Sequence, residues 1–159
     1  YPSVIQGIEC MVGGYETLGN AFMDIIDGTH RDVYVCDDST KLTTDINTAK
    51  KNYKKLPKQM TVAKNTQWCY GTNIHIDLEN GMNIITQAGE SGSGSSTGFC
   101  DGIYFDNATT GQREFLLLGD LGGGGVDGAF RSHCSGGLGR AWWNVLARLS
   151  LNVYRGEFA

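Results

Sequence analysis

The chain is poor in proline, in histidine and in charge. Among its 159 residues are two prolines, three histidines and 19% charged residues, where globular domains average about 25% charged. So little proline excludes a Pro-rich linker, and no apolar run reaches the roughly 18 residues of a transmembrane helix. No Cys-x-x-Cys pair or EF-hand spacing occurs, so we expect no metal and no cofactor. The length suits a single domain over residues 1–159.

Cysteine spacing is the main indication of the compartment. The five cysteines are widely and evenly separated: Cys10, Cys36, Cys69, Cys100 and Cys134. This spacing favours a secreted, extracellular protein with two disulfides and one odd thiol, which would allow a disulfide-linked homodimer. Isolated buried thiols of a cytosolic protein are the alternative. The sequon Asn107-Ala108-Thr109 predicts a glycoprotein, and the start at Tyr1 without Met leads us to expect a processed mature end.

Hydrophobic periodicity predicts an α+β fold, with about three helices packed on one face of a mainly antiparallel, disulfide-stabilised sheet. The predicted helices cover residues 15–28, 39–57 and 139–149. The clearest strands form a hairpin over Ile74–Gln87, with Asn80-Gly81 at its turn. Alternation predicts that Ile74, Ile76 and Leu78 face the core, and that His75, Asp77 and Glu79 face water.

Lysines form the strongest charge pattern. All seven lie between Lys41 and Lys64, whereas the whole chain carries a net charge of −4, which argues against nucleic acid as a partner. The candidate binding residues lie at the end of the second predicted helix, at Lys50, Lys51, Lys54 and Lys55, and directly after it, at Lys58. Such a face would bind an acidic protein or acidic membrane headgroups. The alternative is structural, because cations near a helix C-terminus stabilise the helix dipole and otherwise face water.

Catalytic motifs are weak. His75 and Asp77 lie two residues apart on one strand face, and with an arginine they would suit a small hydrolase such as a nuclease; a surface polar pair is the alternative. The segment at Gly89 and Ser91 does not fit a nucleophile elbow, because Ser93 stands where the second glycine belongs. The glycine run at residues 119–128 lacks the Lys-Ser/Thr end of a P-loop. No catalytic residue is therefore assigned.

One segment resembles a known family. From Cys36 the chain runs through an amphipathic helix and a polar strand to "QWCYGTNIHI". This order is similar to the Ecp2-type (Hce2) domain of secreted fungal effectors, which are likened to killer toxins. Cys36 and Cys69 would take the two cysteine positions and Tyr70-Gly71 the aromatic–glycine position, within residues 30–78. Trp68 replaces the family's threonine, and the family's Thr/Ser-rich start is absent.

The resemblance implies a small secreted α+β protein that acts on another organism without catalysis. We therefore expect an effector or toxin-like protein that binds a host or competitor target. A secreted hydrolase is one alternative. A cell-wall carbohydrate-binding protein is another, in which exposed tryptophans among Trp68, Trp142 and Trp143 would form a stacking platform.

Overall fold

A computed structural model of the chain describes residues 4–5, 8–9, 15–62, 68–79, 82–89, 102–117, 132–139 and 145–146. These ranges are mostly strand. The strands are β1 (Val4–Ile5), β2 (Ile8–Glu9), β3 (Tyr15–Ile25), β4 (His30–Val35), β5 (Lys54–Lys55), β6 (Met60–Val62), β7 (Trp68–Asp77), β8 (Met82–Gly89), β9 (Gly102–Phe105), β10 (Gly111–Leu117), β11 (Ser132–Cys134) and β12 (Val145–Leu146). The helices are a 3-10 turn, η1 (Ser39–Lys41), and α1 (Ile46–Asn52).

Eight of these strands close into a barrel. Around the ring the order is β3, β10, β11, β9, β7, β8, β6 and β4, and β4 pairs again with β3. The neighbours β9/β11 and β6/β8 are parallel, and the other six pairs are antiparallel. The predicted α+β fold with three helices on one face is therefore wrong. The described part of the chain is a mixed β-barrel with one α-helix.

The first predicted helix is strand β3. Its apolar spacing looked helical because the strand is buried on both faces, which hides the alternation of a half-buried strand. Ala21 and Met23 point into the barrel core. Phe22, from the opposite face, packs against Tyr53 and Ala49 in a second cluster beneath α1. Because α1 covers the outer face of β3, this strand lacks the alternation of apolar and polar residues, and its periodicity predicted a helix instead.

The second predicted helix is much shorter than residues 39–57. Asp45 caps α1 by accepting a hydrogen bond from the Thr48 N–H, and the helix ends at Tyr53. The chain then extends, and Lys54–Lys55 pairs with β4. Of the third predicted helix, the described residues Val145–Leu146 form a strand parallel to β3. Long-range strand pairing therefore overrides local helical propensity at both places.

Several predicted strands are confirmed, but the predicted faces are reversed at three residues near the end of the hairpin. β4, β9, β10 and the antiparallel β7/β8 pair appear where alternation placed them; the turn residues Asn80-Gly81 lie outside the described part. Ile76 and Leu78 are 63% and 88% exposed, whereas Asp77 is only 6% exposed. The buried positions of β7 follow one alternation at both ends of the strand, at Cys69, Gly71 and Asp77, so Ile76 falls on the outer face although it is apolar.

The barrel interior is filled by apolar side chains around one arginine. Arg31 is 1% exposed. Its guanidinium lies 4.7 Å from the centre of the Phe105 ring, and Nη2 donates to the Asp106 backbone carbonyl at 3.3 Å. Burial lowers the pKa of Arg31 below its ordinary value. A cation–π contact and one carbonyl therefore replace part of its hydration.

A carboxylate at the end of the barrel compensates this buried charge. Asp106 forms an ion pair with Arg113, with Oδ2 2.6 Å from Nη2 and 2.8 Å from Nε. Its charge also acts on Arg31 and opposes the burial effect on the pKa of that group. One carboxylate thus serves two guanidinium groups, which couples the barrel interior to the loop after β9.

The described cysteines are thiols. Cys36, Cys69 and Cys134 are buried and free, so the disulfide-stabilised fold predicted from their spacing is wrong for these three. Cys69 and Cys134 belong to the barrel core, and burial raises the pKa of the Cys134 thiol far above its ordinary value. They behave as small apolar residues. Cys10 and Cys100 lie outside the described residues.

We predict that Asp106→Asn lowers the free energy of unfolding by about 2–3 kcal/mol, because two guanidinium groups lose their shared carboxylate. The effect should fall short of a fully buried pair, since Asp106 keeps 24% side-chain exposure. Urea unfolding followed by circular dichroism measures it. The control is Glu79→Gln, which removes the exposed ion pair with Lys54 and should barely move the midpoint. Equal midpoints for the two variants would contradict the assignment.

We also predict that the native protein contains at most one disulfide, because three free thiols among five cysteines leave a single pair. In the absence of a reductant, an alkylating reagent should modify Cys36, Cys69 and Cys134 in the denatured protein but not in the native protein. Intact mass spectrometry counts the labels. A mass that shows two disulfides in the unreduced protein would refute this.

Candidate functional site

The predicted lysine face is largely neutralised by carboxylates. Lys50 lies 2.5 Å from Asp24 on β3, and Lys55 lies 2.6 Å from Asp32 on β4. Lys54 pairs with Glu79 at the end of the hairpin. The hydrogen bond with Asp32 raises the pKa of Lys55, which keeps this lysine charged. Three of the five predicted binding lysines therefore anchor α1 and β5 to the barrel.

The other two candidate lysines are exposed. Lys51 lies on α1 and Lys58 lies between β5 and β6, and no ion pair joins either of them to a carboxylate within the described ranges. They are separated along the chain by the paired lysines. Of the five candidate lysines, these two thus carry a charge that no ion pair in the described part of the chain balances, and the binding role of the lysine face stays a prediction.

The predicted hydrolase residues do not assemble. His75 is half-buried, Asp77 is buried, and no hydrogen bond or ion pair between them occurs in the described structure. The described arginines, Arg31 and Arg113, lie with Asp106 at the opposite end of the barrel from Asp77. A cleft that joins His75, a carboxylate and an arginine is therefore absent from the described residues.

A different histidine has a carboxylate partner. In the turn between β3 and β4, His30 Nδ1 lies 3.0 Å from Asp27 Oδ2. The backbone N–H of Thr29 and the ring of His30 hold the pKa of Asp27 well below its ordinary value. Asp27 also accepts from the His30 backbone N–H, so it shapes the turn. The sequence signal that was missed is the pattern Asp27-Gly28-Thr29-His30, in which an aspartate precedes a histidine by three residues. In this turn the Asp27–His30 pair has a structural role.

Aromatic side chains form a row on the outer barrel surface. Alternation places Cys69, Ile103 and Cys134 inside, so their strand neighbours on β7, β9 and β11 point outward. Trp68 is directly opposite Tyr104 across β7 and β9, and Tyr104 is opposite His133 across β9 and β11. Cross-strand pairing therefore brings together three rings that lie far apart in the sequence.

Two of these rings contact each other at a steep angle. The ring centres of Trp68 and Tyr104 are 5.1 Å apart, and the angle between the ring planes is 69°. His133 stacks behind Tyr104 at 4.4 Å and 15°, and its Nδ1 lies 3.3 Å from Ser135 Oγ. Stacking against His133 thus restricts the orientation of the Tyr104 ring.

Trp68 and Tyr70 lie next to Gly102. A Cβ at this position would lie 3.7 Å from Cε3 and Cζ3 of Trp68 and 3.8 Å from Tyr70, so both rings pack over the glycine. Trp68 nevertheless remains 36% exposed. We call Trp68, Tyr70, Tyr104 and His133 the aromatic corner. Its signal in the sequence was limited to Trp68 and Tyr70 on one strand, because Tyr104 and His133 join them only through the barrel.

The other predicted features stand as follows. Asn107 and Thr109 are exposed on the loop after β9, so the sequon is accessible. Trp142 and Trp143 lie outside the described residues, as do Ser91 and the glycine run at 119–128. No described helix has the length and apolar character needed to cross a membrane, and no described His, Cys, Asp or Glu side chains form a metal-binding group of three.

Comparisons of the chain with protein-family models, with curated proteins and with solved structures found no match. The resemblance to the Ecp2-type domain therefore stays a prediction, and the function has to be proposed from the geometry.

We predict that Lys50→Met lowers the free energy of unfolding by roughly 1–2 kcal/mol, because Asp24 loses its cation and keeps only its hydrogen bond from Gln112. Lys51→Met is the matched control: it is the next residue on α1 and should leave the urea midpoint unchanged. An equal shift in both variants would mean that the lysines stabilise only through helix propensity.

Proposed function

We propose that this protein works outside the cell by binding, without catalysis, and that its contact surface is the aromatic corner. It would act as an effector or toxin-like protein on the surface of a host or competitor, and a cell-wall carbohydrate-binding protein is the second candidate. The observation that carries the proposal is Trp68, which remains exposed while Gly102 and Tyr104 hold its ring in place.

A held, exposed tryptophan is suited to recognition. Trp and Tyr dominate binding energetics, because each buries a large area and loses little conformational freedom. The ring contacts with Tyr104 and Gly102 already restrict Trp68 before any ligand arrives, which lowers the entropic cost of binding.

The remaining described features agree with binding better than with the alternatives. Carboxylates neutralise most of the lysine face, so an acidic partner would meet few free cations there. His75 and Asp77 do not form an acid–base pair. Support for an extracellular location comes from the accessible sequon at Asn107, since the free thiols remove most of the argument from cysteine spacing.

Pelleting with insoluble surface material tests this proposal. Purified protein is incubated with washed cell-wall material from fungal, plant and bacterial cells and then centrifuged. We expect wild-type protein to pellet with at least one material and Trp68→Ala to stay in solution, a loss of roughly tenfold or more in affinity. Ile76→Ala is the control, because it removes another exposed apolar group from the same strand.

Circular dichroism and the urea midpoint establish that Trp68→Ala is folded. Pelleting that is equal for wild type and Trp68→Ala would refute the aromatic corner as the contact surface. No pelleting of wild-type protein with any material would refute the proposed function as a whole.

A further inference from the structure

We infer that the aromatic corner binds an uncharged pyranose unit of a polysaccharide. This inference rests on the proposed function and names the ligand class for the same surface. It follows from three properties of the corner: the angle between its rings, the lack of charged residues within its strand segments, and the hydroxyl groups that accompany the rings.

The ring geometry suits a ligand with an apolar face and an edge. Trp68 and Tyr104 contact each other at 69° and His133 stacks on Tyr104, so a flat ligand would pack on the exposed part of Trp68 with its rim beside the tyrosine. A pyranose ring has this shape, with C–H groups on its faces and hydroxyl groups around its rim. Tyr and Trp combine an apolar body with a polar group and can satisfy both parts of such a ligand.

Charge around the corner favours a neutral ligand. The strand segments that form it, residues 68–73, Gly102–Phe105 and Ser132–Cys134, contain no Asp, Glu, Lys or Arg. Single-stranded nucleic acid also stacks on aromatic rings, but it requires a basic groove along its backbone. These described segments supply none, and the whole chain carries a charge of −4. Acidic polysaccharides and phosphate groups are disfavoured for the same reason.

Hydroxyl groups supply the polar part of the site. Tyr70 and Tyr104 each carry one, and Ser135 lies beside His133 with Oγ 3.3 Å from Nδ1. Hydroxyl groups both donate and accept hydrogen bonds, which matches the mixed donors and acceptors of a sugar rim. A few polar groups around an aromatic surface are the usual composition of a small-ligand site.

Titration with defined oligosaccharides tests the inference. Isothermal titration calorimetry is run with neutral hexasaccharides, namely cellohexaose, laminarihexaose, chitohexaose and mannohexaose, and with oligogalacturonate as the acidic counterpart. We expect saturable binding of at least one neutral hexasaccharide and none of oligogalacturonate. Trp68→Ala and Tyr104→Ala should each weaken binding by about tenfold, whereas Trp68→Phe should retain most of it and Ile76→Ala all of it.

Salt provides a second readout. Because no ion pair is involved, raising NaCl from about 0.05 M to about 0.5 M should change the Kd by less than about twofold. Binding of oligogalacturonate that weakens with salt would overturn the inference, as would neutral-sugar binding that Trp68→Ala leaves intact.

The pelleting experiment separates the two levels. Pelleting that depends on Trp68 but is abolished by protease treatment of the wall, with no hexasaccharide bound, would refute the sugar ligand and leave the proposed function standing. If pelleting does not depend on Trp68 and no hexasaccharide binds, both the sugar ligand and the proposed function are refuted.

Discussion

The pairing of β3 (Tyr15–Ile25) with β4 (His30–Val35) closes the sheet into a ring, and the rest of the structure depends on this closure. Once the eight strands form a barrel, their inner faces meet and must be filled by side chains, as small barrels require. Mostly apolar residues fill it, and Arg31 shares the space with Phe105. Closure also explains why Asp106 matters, because a buried guanidinium needs compensation within reach.

The same closure produces the candidate binding surface. Trp68, Tyr104 and His133 belong to three strands that are neighbours only within the ring. Rigid strands set the ring angle and spacing more tightly than loops would, so the surface is organised before a ligand binds. The proposed binding role therefore follows from the sheet, and it leaves the lysines with a structural task, that of fastening α1 and β5 to β3 and β4.

Local patterns predicted part of this arrangement well. The alternating segments at β4, β9, β10 and the β7/β8 hairpin were recognised, because a strand with one wet face carries its period in its own residues. β3 was not, since α1 covers its outer face at Phe22 and removes the alternation. The faces of the hairpin were reversed at Ile76 and Asp77, because alternation shows only that two faces differ, whereas the closed barrel sets which of them turns inward.

The sequence by itself determined the alternating segments of β4, β9, β10 and the β7/β8 pair, the acidic net charge, the lysine-rich middle and the sequon at Asn107. The tertiary structure alone decided that the sheet closes, that three cysteines are buried thiols, that Lys50 and Lys55 are paired, and that Trp68 has Tyr104 beside it. The physical reason is range: propensity and periodicity act over one element, whereas ion pairs, burial and ring contacts join residues that only the closed barrel brings together.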